Sequence, residues 1–230
     1  MNAPATPTPW ELAHQAFQTP EEELAKIVRR FRTLGAHTWD TRLSIADICS
    51  GRGAGLRAWH ELGFTDVVGV DFSMALARTH QGPGHVVLGD ARSVPLRDAS
   101  RDIVMIQGGL HHLFTFEEVE LAIREMVRIV KPAGRIIIIE PWPTPFLRAV
   151  NALMHVRVLR SLSSKVDAYA RMYEEEQVTY DAWLNQSARV LGVLRRYITP
   201  SFVEFRWGKV MMVGSPAYGR DSRTQISEDI

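Results

Sequence analysis

"IADICSGRGAGLRAW", Ile45 to Trp59, passes from an apolar run through three glycines into a helical pattern. Glycines after a strand and before a helix let backbone approach a ligand closely and aim free N–H groups at it. Their spacing selects the ligand. A dinucleotide turn wants G-x-G-x-x-G. Counted from Gly51, the second glycine is Gly53, but Leu56 occupies the third small position and Gly55 comes one residue early. The dinucleotide reading therefore fits poorly, leaving another nucleoside or an ordinary tight turn. Cys49, the only cysteine, stands at the mouth of the turn.

Outward from this stretch, short apolar runs alternate with helical patterns. Leu43 to Cys49, Asp66 to Val70, His85 to Leu88 and Asp102 to Gln107 read as strands, with helices over Gly53 to Leu62 and Ser73 to His80. Thr115 and Glu118 form a capping box before a stripe of Phe116, Val119, Ile123, Met126 and Val130, and Lys131-Pro132-Ala133-Gly134 closes that helix. Arg135 to Glu140 is apolar at each interior position, as a strand buried on both faces requires. The alternation predicts right-handed βαβ units in a doubly wound, mostly parallel α/β sheet. Ahead of it, Thr19-Pro20-Glu21-Glu22 starts a helix through Leu24, Ile27, Val28, Phe31 and Leu34 that Gly35 stops. Behind it, Thr144 to Tyr173 is irregularly helical and Thr179 to Arg196 regularly so. "SFVEFRWGKVMMVGSP" then reads as two strands joined at Trp207-Gly208-Lys209.

Composition narrows the class. A chain of 230 residues with 46% hydrophobic and 23% charged residues reads as a single soluble domain, and a net charge of +1 points to neither nucleic acid nor membrane as partner. One cysteine suits a cytoplasmic location, and no apolar run is long enough to span a bilayer. The expected organisation is a disordered leader over 1–9, one domain over 10–217 and a disordered tail over 218–230. Within the domain, 10–42 reads as a helical cap and 144–178 as a helical insert or lid.

Five stretches in order carry a more specific signal. Asp47-Ile48-Cys49-Ser50-Gly51-Arg52-Gly53 is an acidic residue followed by a glycine-rich turn, with Cys49 where a first glycine would stand. "VVGVDFS" ends its strand in Asp71, twenty positions after Gly51, followed by Phe72. "VVLGDARSVPLRDASRDIV", "RDIVMIQGGLHHL" and "LAIREMVRIVKPAGRIIIIEPW" complete the series. Together they resemble the class I, Rossmann-like S-adenosylmethionine-dependent methyltransferases, in the small-molecule branch that includes the ubiquinone and menaquinone methyltransferases. The resemblance covers about half the chain. It implies a seven-stranded sheet with an antiparallel last strand, S-adenosyl-L-methionine as cofactor, and methyl transfer to a hydroxyl, amine or carbon of a small acceptor. A protein or RNA methyltransferase, or a cofactor binder that does not methylate, remains the alternative. The assembly is read as monomer or homodimer.

The same resemblance assigns cofactor roles to Asp47, Gly51, Gly53, Asp71, Phe72, Asp90, Ala91 and Gln107. A carboxylate at Asp71 can accept both ribose hydroxyls, and Asp90 would accept from the adenine amino group, or else serve only as a turn residue. His111 matches the position of a basic histidine in the related phosphoethanolamine methyltransferases, without an obvious counterpart of its tyrosine partner. Glu140, ending the fifth strand, can take a proton or bond neighbouring loops. His112, His155 and Tyr173 are candidates to line the acceptor site, with His112 the one of the histidine pair expected to pack beneath the loop. Arg29, Arg30 and Arg32 read as a solvated face or an anion site, and Glu174 to Glu176 as a solvated helix start. No metal-ligand spacing is read. At Cys49 an extended backbone is expected to tolerate the side chain, which serves packing rather than chemistry.

Overall fold

A computed structural model describes residues 8–80 and 82–217. The expected leader and tail fall mainly on residues 1–7 and 218–230, outside the described residues, although Pro9 already belongs to a helix.

Two helices open the chain, α1 (Pro9–Phe17) and α2 (Pro20–Thr33). The capping box at Thr19 and Glu22 is formed, with Pro20 in the first turn, and Gly35 leaves α2 at φ +83°. The α/β core follows as β1 (Ile45–Ile48), α3 (Ala54–Glu61), β2 (Val67–Asp71), α4 (Met74–Thr79), β3 (His85–Leu88), β4 (Arg101–Gln107), α5 (Phe116–Ile129) and β5 (Val130–Pro141). Helices α6 (Pro145–Met154), α7 (Arg157–Leu162), α8 (Ser164–Asn185) and α9 (Ser187–Tyr197) then lead into β6 (Ile198–Arg206) and β7 (Lys209–Pro216).

The seven strands run in the order β3-β2-β1-β4-β5-β7-β6. All pairs from β3 to β5 are parallel, and β7 is antiparallel to both its neighbours. The β6–β7 turn has both Trp207 and Gly208 at positive φ, the backbone a two-residue hairpin needs to match strand twist. Because the chain leaves β1 toward β3 and returns to β4 on the other side, the carboxyl ends of β1 and β4 border a crevice. That is where ligands settle in open α/β sheets.

Strand alternation divides the core into two layers. Ile45, Met105, Ile137, Ile139, Met211 and Val213 meet Phe31 of α2 and Leu56 and Trp59 of α3. Ala46, Val104, Ile106, Ile136, Ile138 and Met212 meet Val119, Ile123 and Met126 of α5 and Val190 and Leu194 of α9. In the first layer Phe31 stacks on Trp59 at 4.2 Å between centroids. Helix α8 packs against α1, through Phe17 on Tyr169, and is tied to α2 by a 3.0 Å ion pair from Lys165 to Glu22.

Three expectations are corrected. The boundary drawn at Val178 does not exist: α8 runs unbroken from Ser164 to Asn185, and the break comes at Gln186. Glu174 to Glu176 is therefore the middle of a helix rather than its start. Cys49 is not extended but left-handed, at φ +58°, in series with Gly51 at +52° and Gly53 at +79°. For a residue with a Cβ this conformation costs on the order of 1 kcal/mol. The side chain fits because its neighbour has none: a Cβ on Gly109 would lie 2.6 Å from Cys49 Cβ and 2.8 Å from its Sγ. The two positions share one side chain's worth of space. Gly109→Ala is accordingly expected to cost about 1–3 kcal/mol in urea unfolding, and distinctly less in a Cys49→Gly background. Equal costs in the two backgrounds would refute this coupling.

Candidate active site

The crevice is built first by the glycine turn. Asp71, at the end of β2 and 5% exposed, accepts the Gly51 N–H at 2.8 Å with Oδ2 and the Ser73 N–H at 2.9 Å with Oδ1. Each oxygen keeps a lone pair for a further donor. Ser73 caps α4 by accepting the Leu76 N–H. A Cβ at Gly51 would meet nothing within 4 Å, so space stands open over the turn, whereas the corresponding space at Gly53 is filled by the His80 ring. Beside Asp71 the Phe72 ring is 78% exposed, an aromatic face offered to solvent.

Asp47, on β1, is 3% exposed, and Gly55 of α3 is so close that a Cβ there would lie 2.1 Å from its Oδ2. Its carboxylate has no hydrogen-bond donor among the described residues, and burial together with the charge of Asp71 pushes its pKa up to about 8. A buried carboxylate without a donor is stabilised by a cation or N–H group from outside. These groups fit S-adenosylmethionine: open space over Gly51, a ribose-competent carboxylate at Asp71, an aromatic face at Phe72, and an unpaired acid at Asp47 for an ammonium. Ala91 is buried. Asp90 is folded into its own turn, accepting the Arg92 N–H at 2.8 Å and clasping the Arg92 guanidinium at 2.6 Å, which holds its carboxyl below the usual range. An adenine amino group would share those oxygens with Arg92.

Gln107 ends β4, and its Oε1 accepts from Arg30 Nη1 of α2 at 3.4 Å. Lys209 opens β7 directly across from Pro141 of β5. By strand alternation Asp47, Gln107 and Lys209 belong to the α2–α3 side of the sheet. Neither Arg30 nor Lys209 has a carboxylate within 4.0 Å among the described residues. Burial, followed by the charge of Arg30, lowers the Lys209 pKa to about 8 against the pull of Glu140.

On the opposite side lies a second constellation. Glu140 is fully buried; its Oε1 accepts the Gly109 and Leu110 N–H groups at 2.8 and 2.9 Å, and its Oε2 pairs with His111 Nδ1 at 2.8 Å. Burial opposes ionisation of Glu140, but the His111 bond and charge and the two amides outweigh it and hold the carboxyl below its ordinary range. Burial likewise opposes a charge on His111, and the carboxylates of Glu140 and Glu176 overcome it, raising its pKa. Glu176 of α8 reaches 3.7 Å from His111 Nε2 with one oxygen and 3.8 Å from His112 Nε2 with the other. The expected order of the histidines is reversed: the His111 side chain is 7% exposed and His112 47%, so His111 is the one beneath the loop. It is His111 that Glu140 anchors as β5 ends.

His155 and Tyr173 reach this cluster only through others. His155 lies edge-on to Tyr173 at 6.1 Å, Tyr173 to Tyr180 at 5.6 Å, and Tyr180 to His111 at 5.8 Å. The Tyr173 hydroxyl donates to Asp181 at 2.8 Å. Glu176, Tyr180 and Lys209 are the site residues that sequence reasoning missed. For α8 the signal was present: Tyr169, Tyr173, Glu176 and Tyr180 recur at helical spacing, a stripe of aromatic and acidic residues on one face.

Residues 46–138 match the family described as "Methyltransferase domain". A demethylmenaquinone methyltransferase of Paenarthrobacter aurescens is 28% identical over 165 residues, 69% of this chain and 64% of its own. One from Mycobacterium marinum is 34% identical over 130 residues, covering 53% and 52%. The chain thus spans less than two thirds of the length of these curated relatives. Among solved structures, a protein of Pyrococcus horikoshii superposes with a TM-score of 0.63 at 18% identity over 88% of this chain and 95% of its own. A putative S-adenosyl-L-methionine-dependent methyltransferase of Methanococcus maripaludis gives 0.60 at 17% identity over 94% and 97%. Residues 46–138 match a methyltransferase domain, on a fold shared with solved S-adenosylmethionine-dependent methyltransferases, in a chain that resembles the menaquinone-biosynthesis enzymes.

Proposed function

We propose that the protein transfers a methyl group from S-adenosylmethionine to a hydroxyl, amine or carbon of a small metabolite by in-line displacement, in the cytoplasm. One observation carries the reading: at the β1–β4 crevice, Asp71 braces the open Gly51 turn while the buried Asp47 carboxylate lacks a donor among the described residues. The cofactor supplies a methyl already activated on a sulfonium, which leaves holding, aligning and shielding to the chain. Asp71 takes the ribose hydroxyls, Phe72 and Ala91 flank the base with Asp90 at its edge, and Asp47 faces the ammonium. Gln107, Arg30 and Lys209 form the cationic side of the crevice, suited to the carboxylate at the amino-acid end. Helices α1, α2 and α6 to α8 act as cap and lid.

His111 is the candidate proton acceptor, with Glu140 as its positioning residue. With two carboxylates beside it, His111 accepts a proton only after losing one, so alignment is the larger contribution, up to about 7–11 kcal/mol for well-oriented reactants. Relatives named for demethylmenaquinone, a small molecule, favour a small acceptor over protein or RNA.

Calorimetric titration with S-adenosylhomocysteine tests the cofactor assignment. Asp71→Ala is expected to weaken binding at least tenfold, about 1.4 kcal/mol, with circular dichroism unchanged. Wild-type protein that ignores the ligand at millimolar concentration would end the proposal. The cationic side makes a pH-dependent prediction. Arg30 and Glu140 are the charged neighbours acting on Lys209, whose ammonium is present below pH 8 and lost above it. Lys209→Met should therefore weaken S-adenosylhomocysteine binding several-fold at pH 7, and the gap between variant and wild type should close by pH 9. A gap independent of pH would remove Lys209 from the carboxylate subsite.

A further inference from the structure

We propose that His111, His112 and Glu176 form a binding site for one divalent transition-metal ion of the zinc class. One ring nitrogen from each histidine and one carboxylate oxygen of Glu176 all lie within 4.8 Å of one another. The Glu176 oxygens stand 3.7 and 3.8 Å from the two nitrogens. That is too long for hydrogen bonds. Zinc bonds of about 2.0–2.2 Å to nitrogen and oxygen put neighbouring ligands about 3.3–3.7 Å apart, so side-chain adjustments on the order of 1 Å or less bring all three onto one ion.

The surroundings are those of a built site. Metal-binding histidines hand their other ring nitrogen to a carboxylate or carbonyl, which fixes tautomer and orientation. His111 gives Nδ1 to Glu140, and Glu140 is itself fixed by the Gly109 and Leu110 amides, so Nε2 is aimed at Glu176. Tyr180, edge-on at 5.8 Å, and the His112 ring, 4.1 Å away, bound the remaining freedom of the His111 ring. The two histidines share a short 3-10 turn, Leu110–His112, and Glu176 comes from a rigid helix laid over that turn. Two histidines and one carboxylate are the ligand set of zinc sites that keep a fourth position open. Beside His112 and Glu176 lies a cleft of about 270 Å³, also lined by Phe114, Glu175, Val178 and Thr179. A hydroxyl entering from it would ionise more readily on the ion, which would then replace His111 as the aid to deprotonation, since both ring nitrogens of His111 are engaged; that consequence rests on the methyl-transfer reading, while the site itself does not.

The test reads metal alone. Chelator-treated, tag-free protein is titrated calorimetrically with Zn²⁺, and with Co²⁺ while the visible spectrum is recorded. The expected result is one ion per chain with dissociation constants below about 10 μM for Zn²⁺, and cobalt bands of four- or five-coordinate intensity. His112→Ala and Glu176→Gln should each weaken Zn²⁺ at least tenfold with circular dichroism unchanged. No stoichiometric ion at 100 μM free Zn²⁺ overturns the proposal, as does stoichiometric binding that survives both substitutions. S-adenosylhomocysteine binding, measured on the same samples, reports separately on the cofactor assignment.

Discussion

The buried carboxylate of Glu140 is the tie on which the acceptor side depends. A fully buried, ionised glutamate is tolerable only when its lone pairs are met, since breaking one partner of such a pair costs roughly 3–5 kcal/mol. Here two backbone amides and an imidazole meet them. The same three bonds fix the loop after β4, seat Gly109 against Cys49, and turn His111 toward α8. The glycine turn and the loop facing it are therefore not independent. Cys49 sits left-handed in the turn because Gly109 leaves room, and Gly109 sits where it does because its amide is bonded to Glu140.

Asp47 shows the opposite solution to the same physical problem. It is nearly as buried as Glu140, yet meets no donor among the described residues, and its pKa moves up rather than down. Evenly spaced buried acids in a structural network would all be satisfied. One satisfied and one unsatisfied acid on adjoining strand ends divide the labour: Glu140 organises the protein, and Asp47 is left for something the protein binds. The closeness of Gly55 belongs to this arrangement, because any side chain there would collide with the Asp47 carboxylate.

Much of the fold was legible in the residues because it rests on local rules. Capping boxes at Thr19 and Thr115, the strand-like run at Arg135 to Glu140, and the turn at Trp207-Gly208 are short-range signals that the structure follows, whereas Val130 to Gly134, read as the end of a helix, open β5. The candidate cofactor residues come from motif order, through the resemblance it carries. What escaped depends on contacts between distant segments. The stripe of Tyr169, Tyr173, Glu176 and Tyr180 marks one face of α8 but not that this face crosses the His111–His112 turn, so the glutamates read as solvent-facing. Lys209 looks like a hairpin residue until β7 is inserted between β5 and β6. The backbone at Cys49 was misread because a cysteine gives no warning of positive φ; the clue was the position, where related turns carry glycine.

The site's polarity follows from the two-residue period of the strands. On β5, Glu140 shares a side with Ile136 and Ile138 and so meets the α5, α8 and α9 layer, while its neighbours Ile139 and Pro141 belong to the other side. Asp47, Gln107 and Lys209 fall with that other side, under α2 and Arg30. Alternation thus separates a histidine–carboxylate cluster from a cationic flank across a single sheet thickness at the strand ends. Were Glu140 shifted by one residue, its carboxylate would neutralise Lys209 and leave His111 and the loop amides without a partner. One register therefore sets both the rigidity of the loop and the charge that an entering ligand meets.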